Sequence, residues 1–251
     1  MRPEVASGQR LNALETSPAA QRDHGVVAVV IAARNEACRL PGLLAQLATE
    51  PGLIGDLVVV DGGSCDATSD VAALAGARVL RTSPGRGHQF ALGARVVEAS
   101  WLLLLHADGR LPKDWAQRIR HAVACRDTSP RAWYFELAIN GTPPALRVVE
   151  LAVHLRSRWR QLPYGDQGLL LPRSLYEAVG GMRPLPLMED LDLVQRLGRH
   201  CRFSSLRASL CVDGRRWLAH GVWRTTLTNL QLRRAWRRGI TAEELARRYY
   251  Q

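Results

Sequence analysis

The sequence predicts a single α/β domain with a mostly parallel central sheet, closed by a C-terminal helical appendage. Three observations carry that expectation. Short strand-like runs recur at residues 26–33, 57–60, 78–81 and 101–105; segments of helical spacing lie between them; and polar residues follow each run. Continuous apolar runs rich in β-branched residues are how doubly buried parallel strands read, and their alternation with helices is the mark of an α/β sheet.

Residues 26–33 open the pattern and stop at Arg34, Asn35 and Glu36. Residues 36–48 place Leu40, Leu43, Leu44 and Leu47 on one helical face, and 57–60 form a second buried strand ending at Asp61. Residues 66–75 read as a short helix, 78–81 as a strand, 88–99 as a helix, and 101–105 as a fourth strand leading to His106 and Asp108. The second half is less regular. Strands are expected at 133–139, 166–171 and 205–212, and helices at 144–159 and 189–197, with two basic helices near 224–238 and 241–250.

A chain of 251 residues fits one large domain. Apolar residues reach 47%, enough to build a full core and to exclude general disorder. The net charge of +11 suits a partner carrying phosphate, although Lys113 is the sole lysine and the excess is therefore arginine. Cys38, Cys65, Cys125, Cys201 and Cys211 form no Cys-x-x-Cys pair, which argues against structural zinc or a disulfide framework; they are expected reduced and mostly buried. Residues 1–24 read as a polar tail without an apolar signal core, and no stretch reaches the roughly 18 apolar residues of a membrane span. A cytoplasmic protein is expected.

Several enzyme classes drop out on their motifs. The lysine lies in Leu111-Pro112-Lys113-Asp114, so no phosphate-binding Gly-Lys-Ser/Thr loop exists. The first strand is followed by Ala33-Arg34-Asn35-Glu36 in place of a Gly-x-Gly-x-x-Gly turn, which disfavours a dinucleotide enzyme. Gly-x-Ser-x-Gly is absent, and with it the α/β-hydrolase nucleophile.

What remains is a row of polar groups at successive strand ends: Asn35 and Glu36, then Asp61 to Asp66, then Arg86 and Gln89, then Asp108. In an open α/β sheet that edge binds ligands. Asp61-Gly62-Gly63-Ser64-Cys65-Asp66 combines a strand-end acceptor, suited to a base N–H or ribose hydroxyls, with glycines that admit a ligand; it also reads as a capped turn. Arg86, in a Gly-rich loop, suits a phosphate or base edge. Asp108 offers one or two oxygens to a divalent cation whose other ligands come from a diphosphate, or else serves as a cap; His106 reads as structural. Glu189, Asp190 and Asp192 open a helix, where carboxylates favour the macrodipole in any case, and Asp192 is assigned to that role. One of Glu189 and Asp190 can serve a substrate hydroxyl as general base while the other holds position.

Together, residues 29–36, 59–66, His106-Ala107-Asp108 and Glu189-Asp190 resemble the ordered motifs of the family 2 glycosyltransferases. Residues 84–89, 163–168 and 186–190 are similar to a small bacterial branch described as associated with radical-SAM and selenium-domain proteins. The resemblance implies a GT-A (Rossmann-like) domain over residues 25–222 with basic helices 223–251 packed on it. It also implies a nucleotide-diphosphate sugar donor, a UDP-sugar first among them, inversion at the anomeric carbon, and Mn²⁺ or Mg²⁺. By position it implies nucleotide-sugar contacts at Ala33, Asn35, Glu36, Asp61, Gly62, Gly63, Asp66, Arg86, Gln89 and Ala107, metal at Asp108, and the general base at Asp190 beside Glu189. Many relatives carry an aspartate where this chain has His106, which leaves fewer protein ligands for a metal.

Arg215, Arg216 and Arg224 are candidates for the diphosphate, and Tyr164, Asp166 and Gln167 for the acceptor. Residues 144–159 and the C-terminal helices are basic and amphipathic, which suits a lipid-linked acceptor and contact with anionic membrane at the inner face. A sugar-phosphate nucleotidyltransferase is the alternative enzyme, and it would place Gly, Arg and Lys after the first strand. A basic nucleic-acid or membrane module is the alternative outside enzymes; a nucleic-acid role leaves the strand-end carboxylates unexplained.

Overall fold

The computed structural model describes residues 26–125 and 129–250; the polar tail read over residues 1–24 lies outside them. Seven strands form one sheet in the order β3-β2-β1-β4-β6-β5-β7. They are β1 (Val27–Ala33), β2 (Ile54–Asp61), β3 (Arg78–Arg81), β4 (Trp101–His106), β5 (Arg131–Asn140), β6 (Leu169–Pro172) and β7 (Arg202–Asp213). β1, β2, β3 and β4 run parallel, β6 is antiparallel to both β4 and β5, and β5 pairs parallel with β7.

All seven residues of β1 are buried. Val27, Val29, Ile31 and Ala33 enter one core layer, and Ala28, Val30 and Ala32 enter the other. The period-2 alternation of a strand thus feeds both faces. The first layer is roofed by α1 (Leu40–Ala48), α4 (Trp115–Ala124) and α5 (Pro144–Trp159). The second is roofed by α3 (Arg86–Arg95), α6 (Arg173–Ala178) and α7 (Glu189–Leu197). A Cβ on Gly93 would lie 2.3 Å from a Val30 methyl, so α3 lies this close to β1 only because that residue is glycine.

The helix expected from residue 36 begins at Leu40, because Glu36 to Arg39 are consumed in the turn off β1 and Pro41 occupies the first helical turn. The second helix is α2 (Thr68–Leu74), shorter than expected because Asp66 spends its carboxylate on Thr68 and on the next loop. α4, α6 and α8 (Arg215–His220) are additional to the expected elements, and α9 (Val222–Arg237) and α10 (Ala242–Tyr250) complete the appendage. The strand expected at 166–171 is split: Gly165–Gln167 forms a 3₁₀ turn and only Leu169–Pro172 pairs.

The cysteines depart from expectation: Cys38, Cys65 and Cys125 are exposed, while Cys201 and Cys211 are half-buried. The first three sit in loops or at a helix end, where no apolar layer covers them. No described helix is long and apolar enough to cross a membrane.

Candidate active site

β1 turns to β2 on one side and to β4 on the other, so chain order reverses between β1 and β4. A crevice opens at the carboxyl ends of strands flanking such a reversal. Two adjoining cavities occupy it, of about 260 and 230 Å³. The first reaches Ala33, Arg34, Glu36, Gln89 and Ala107; the second reaches Tyr164, Asp166, Asp190, Trp217 and Arg233. Arg86, His106, Asp108, Glu189, Arg215, Arg216 and Tyr249 line both.

The loops that form the rim are stitched to each other. Asn35 N–H donates to Ser64 Oγ at 2.9 Å, Glu36 N–H to Thr68 Oγ1 at 2.8 Å, and Ala37 N–H to Asp66 Oδ2 at 3.1 Å. Cys65 N–H returns a bond to Asn35 Oδ1 at 2.9 Å. Asp61 is 2% exposed and accepts from the Ser64 N–H and hydroxyl and from the Ser69 hydroxyl. Burial works to raise its carboxyl, but those bonds and the Arg81 charge outweigh burial, and the net shift is downward. Gln89, 3% exposed, donates to Ala33 O and Val60 O at 2.7 Å each and ties the ends of β1 and β2. Gly62 packs under that amide, and Gly63 takes φ +80° to complete the turn.

Charge is concentrated on the crevice floor. Glu36 is ion-paired with Arg215 and Arg39. Asp108 has its carboxyl raised by burial and by the Glu36 charge, against the pull of Arg86 and Arg215. Glu189, 5% exposed, is pushed up to about 7 by burial and by Asp190, with Arg86 opposing. Burial also raises Asp166, opposed by Arg156 and reinforced by Asp190. His106 is held well below 6.5 by burial and by Arg86, so it is neutral at pH 7; its ring stacks on Phe90 at 5.8 Å and its buried Nε2 has no hydrogen-bond partner.

Asp190 sits where α7 meets the turn before β6: Gly165 N–H donates to its Oδ2 at 2.9 Å, and Leu191 N–H to its Oδ1 at 2.7 Å. Met188 precedes them at φ +66°, a left-handed conformation that a side chain enters at some cost and that tends to mark functional sites. Gly87 lets the 183–188 segment approach: a Cβ there would lie 2.6 Å from Arg183 O.

The crevice therefore gathers Ala33, Glu36, Arg86, Gln89, Ala107, Asp108, Tyr164, Asp166, Glu189, Asp190, Arg215 and Arg216. Asn35, Asp61, Gly62, Gly63 and Asp66 form the scaffold behind it. Gln167 is not brought to it: fully buried, its amide accepts from Arg156, Ser157 and Tyr164 N–H and donates to Phe135 O. Arg224 is exposed on α9 and lines neither cavity. Asp192 pairs with Arg183 and Arg196, a structural role. Tyr249 and Arg233 join from the C-terminal helices, with Arg216 over the Tyr249 ring at 4.0 Å and Arg156 over Tyr164 at 3.6 Å. No strand pattern announces Tyr249; only packing of α10 brings it in. A larger cleft of about 760 Å³, between α4 and α5, lies over β5 and β7, away from the strand-end carboxylates.

Among the described residues no group of three His, Cys, Asp or Glu is arranged to hold a metal ion. The donor set fits a cation only where Asp108 supplies one carboxylate and the ligand supplies the rest. The raised Asp108 carboxyl beside Glu36 is the kind of site whose charge a dication would relieve.

The seven-stranded sheet with its crevice at the β1/β4 reversal is a GT-A-type fold, and the comparisons agree with it. The model of the family described as Glycosyl transferase family 2 matches residues 28–128. Among solved structures, S. aureus TarS 1–349 is 17% identical with a TM-score of 0.58, covering 75% of this chain and 60% of that one. Glucosyl-3-phosphoglycerate synthase from Mycobacterium tuberculosis, in complex with Mn²⁺ and UDP-glucose, is 19% identical with a TM-score of 0.52, covering 75% and 70%. A mycobacterial protein is 20% identical with a TM-score of 0.52, covering 75% and 65%. The chain thus spans 65% and 60% of the first two solved chains it matches. No curated protein matches it significantly. The family 2 resemblance read from the motifs at residues 29–36, 59–66 and 106–108 is borne out over residues 28–128, and the solved structures bear out the GT-A fold.

Proposed function

We propose that this protein is an inverting glycosyltransferase that moves a sugar from a UDP-sugar to an acceptor hydroxyl. The observation that carries the reading is the pair of joined cavities at the β1/β4 reversal. One is walled by strand-end groups suited to a nucleotide; the other holds Asp190; the arginines lie between them. TarS has been solved with UDP and the synthase with Mn²⁺ and UDP-glucose, and the same donor class suits this crevice.

In this reading Glu36 takes ribose or base from the floor, exchanging its bond to Arg215 for one to the nucleoside. Asp61 and Asp66 keep the rim in shape from behind it, and Gln89, which borders the donor cavity, ties the ends of β1 and β2 together. Arg86, Arg215 and Arg216 face the diphosphate. Asp190 takes the proton of the acceptor hydroxyl as its oxygen attacks the anomeric carbon from the face opposite the diphosphate. The C–O bond to the diphosphate breaks, and the negative charge leaving with it is neutralised by the arginines. Mn²⁺ or Mg²⁺ held by Asp108 would add Lewis-acid neutralisation at the same oxygens. Glu189, its carboxyl pushed up to about 7, is partly protonated at neutral pH and so lowers the charge beside Asp190. Tyr164 and Asp166 border the acceptor side. Residues 25–222 carry this chemistry, and the helices from 223 onward close the acceptor cavity.

The test is release of UDP from UDP-hexoses in the presence of a panel of hydroxyl acceptors, by the wild-type chain and by Asp190→Asn. The reading expects turnover to fall by roughly 10²–10⁴-fold while UDP affinity is retained, because the base acts only with acceptor present. Equal turnover would remove Asp190 from the chemistry.

A further inference from the structure

Eight large apolar side chains among the described residues are prominently exposed, and six of them are Val148, Leu151, Trp159, Leu218, Trp223 and Leu227. All six lie on α5, α8 and α9. Exposed apolar residues scattered singly need no explanation; a set confined to adjoining helices does.

α5 carries two apolar stripes. Leu146, Val149, Val153 and Ser157, at i, i+3, i+7 and i+11, are buried against the sheet. Val148, Leu151, Leu155 and Trp159 repeat the same spacing on the opposite side, where Val148, Leu151 and Trp159 are 53%, 58% and 74% exposed. A helix apolar on both sides is normally buried on both. α9 repeats the pattern, with Thr225 and Leu232 inside and Trp223, Leu227 and the half-buried Leu230 at i, i+4 and i+7 outside. The helices adjoin: α5 packs on α9, α9 on α8, and Leu218 lies beside Gly141 at the start of α5.

Charge decides what covers this face. Residues 214–242 contain seven arginines and no aspartate or glutamate. Arg224, Arg234, Arg237 and Arg238 are exposed there, as are Arg147 and Arg158 on α5 and Arg160 just past its end. The one α5 carboxylate, Glu150, is taken up by Ile139 N–H and Arg147. A second copy would set arginines against arginines, since a two-fold contact uses the same patch twice. Nucleic acid would match the charge and leave the leucine, valine and tryptophan stripes in water. Tryptophans beside arginines on an apolar helix face match the polar-to-apolar boundary of a bilayer, where indole and guanidinium both find partners.

We infer that the α5–α8–α9 face docks on an anionic lipid surface, with Trp159 and Trp223 entering the interface and the arginines meeting the headgroups. Trp217, Asn229, Leu232 and Arg233 from α8 and α9 also line the Asp190 cavity, so docking brings that cavity's helical wall to the lipid. Docking itself stands whether or not the site transfers a sugar.

Co-sedimentation of the full chain with phosphatidylcholine vesicles, with and without phosphatidylglycerol, at low and high salt tests this. Partitioning is expected onto the anionic vesicles, weakened by salt, with brominated acyl chains quenching part of the tryptophan fluorescence. The double variant Trp159→Ser/Trp223→Ser is expected to partition on the order of tenfold less, with less quenching and unchanged circular dichroism. Val148→Ser/Leu151→Ser, which touches no tryptophan, is expected to weaken partitioning in the same direction. Absence of binding to anionic vesicles at low salt would overturn the inference. So would equal binding by both double variants, which would reduce the effect to bulk charge, or a dimer in sedimentation velocity that they abolish.

Discussion

The backbone N–H of Gly165 donates to Oδ2 of Asp190 across 2.9 Å, fastening the first turn of α7 to the loop that precedes β6. A Cβ on Gly165 would lie 3.2 Å from Asp190 Cβ and 3.2 Å from His106 Nε2. The residue proposed as base is thus positioned by a glycine 25 residues away in sequence, with no slack on either side.

Gly165→Ala should therefore keep the fold and displace Asp190 by a few tenths of an ångström. Misplacement on that scale is expected to lower turnover about tenfold to a hundredfold, with UDP affinity unchanged. Steady-state kinetics beside a UDP titration checks it; a loss of nucleotide affinity instead would locate Gly165 in the donor cavity.

Glu189 gives the protein a pH signature. Its carboxyl ionises at 4.5 in the unfolded chain and near 7 in the fold, because burial and Asp190 disfavour the charge. The folded state binds the extra proton between those values, so the contribution of Glu189 to stability is complete below 4.5 and is lost as pH rises towards 7. The loss is at most about 3 kcal/mol. Glu189→Gln, which copies the protonated form, should melt higher than wild type at about pH 8 and level with it in acid. Equal melting curves at both pH values would show that Glu189 is not strained.

Gln89 separates scaffold from ligand contact. Its amide bridges Ala33 O and Val60 O with 3% exposure. Gln89→Leu should cost about 1–3 kcal/mol, measured by urea unfolding. Undiminished stability with lost UDP binding would return that amide to the donor.

Much of the fold is legible in the sequence, because β1, β4 and the inner stripes of α1 and α5 are written in large apolar residues. β3 and the full extents of α5 and α7 follow from spacing alone. α4 is harder to see: two of its four buried residues are the alanines Ala116 and Ala122, interleaved with Arg118 and Arg120. α8 is six residues long and buries none, so no periodicity marks it. In the site, the strand-end motifs predict which loops meet, while the division of labour within them is tertiary. Asp61 reads as an open strand-end acceptor in the sequence, whereas in the fold Ser64 and Ser69 donate to both its oxygens. Gln167 looks available until Phe135, Ser157 and Arg156 surround it. Serine three residues after a strand-end aspartate is the one signal that points to the first; for the second, the only local signal is the capping-box spacing of Tyr164 and Gln167.

Asp108→Asn probes the cation. If Asp108 is the protein ligand, Mn²⁺ should strengthen UDP binding to the wild type and do so far less for the variant, on the order of tenfold less. Identical enhancement in both would move the metal away from β4.

The central claim is that the β1/β4 crevice binds a nucleoside diphosphate. Thermal stability with UDP, GDP, CDP, ADP and dTDP, each with and without Mn²⁺, addresses it most directly. Saturation near a hundred times the dissociation constant adds about 2.7 kcal/mol, which should raise the melting point by roughly 5 to 10 °C. The account predicts that shift for UDP, larger with Mn²⁺ than without. No shift with any of the five would contradict it.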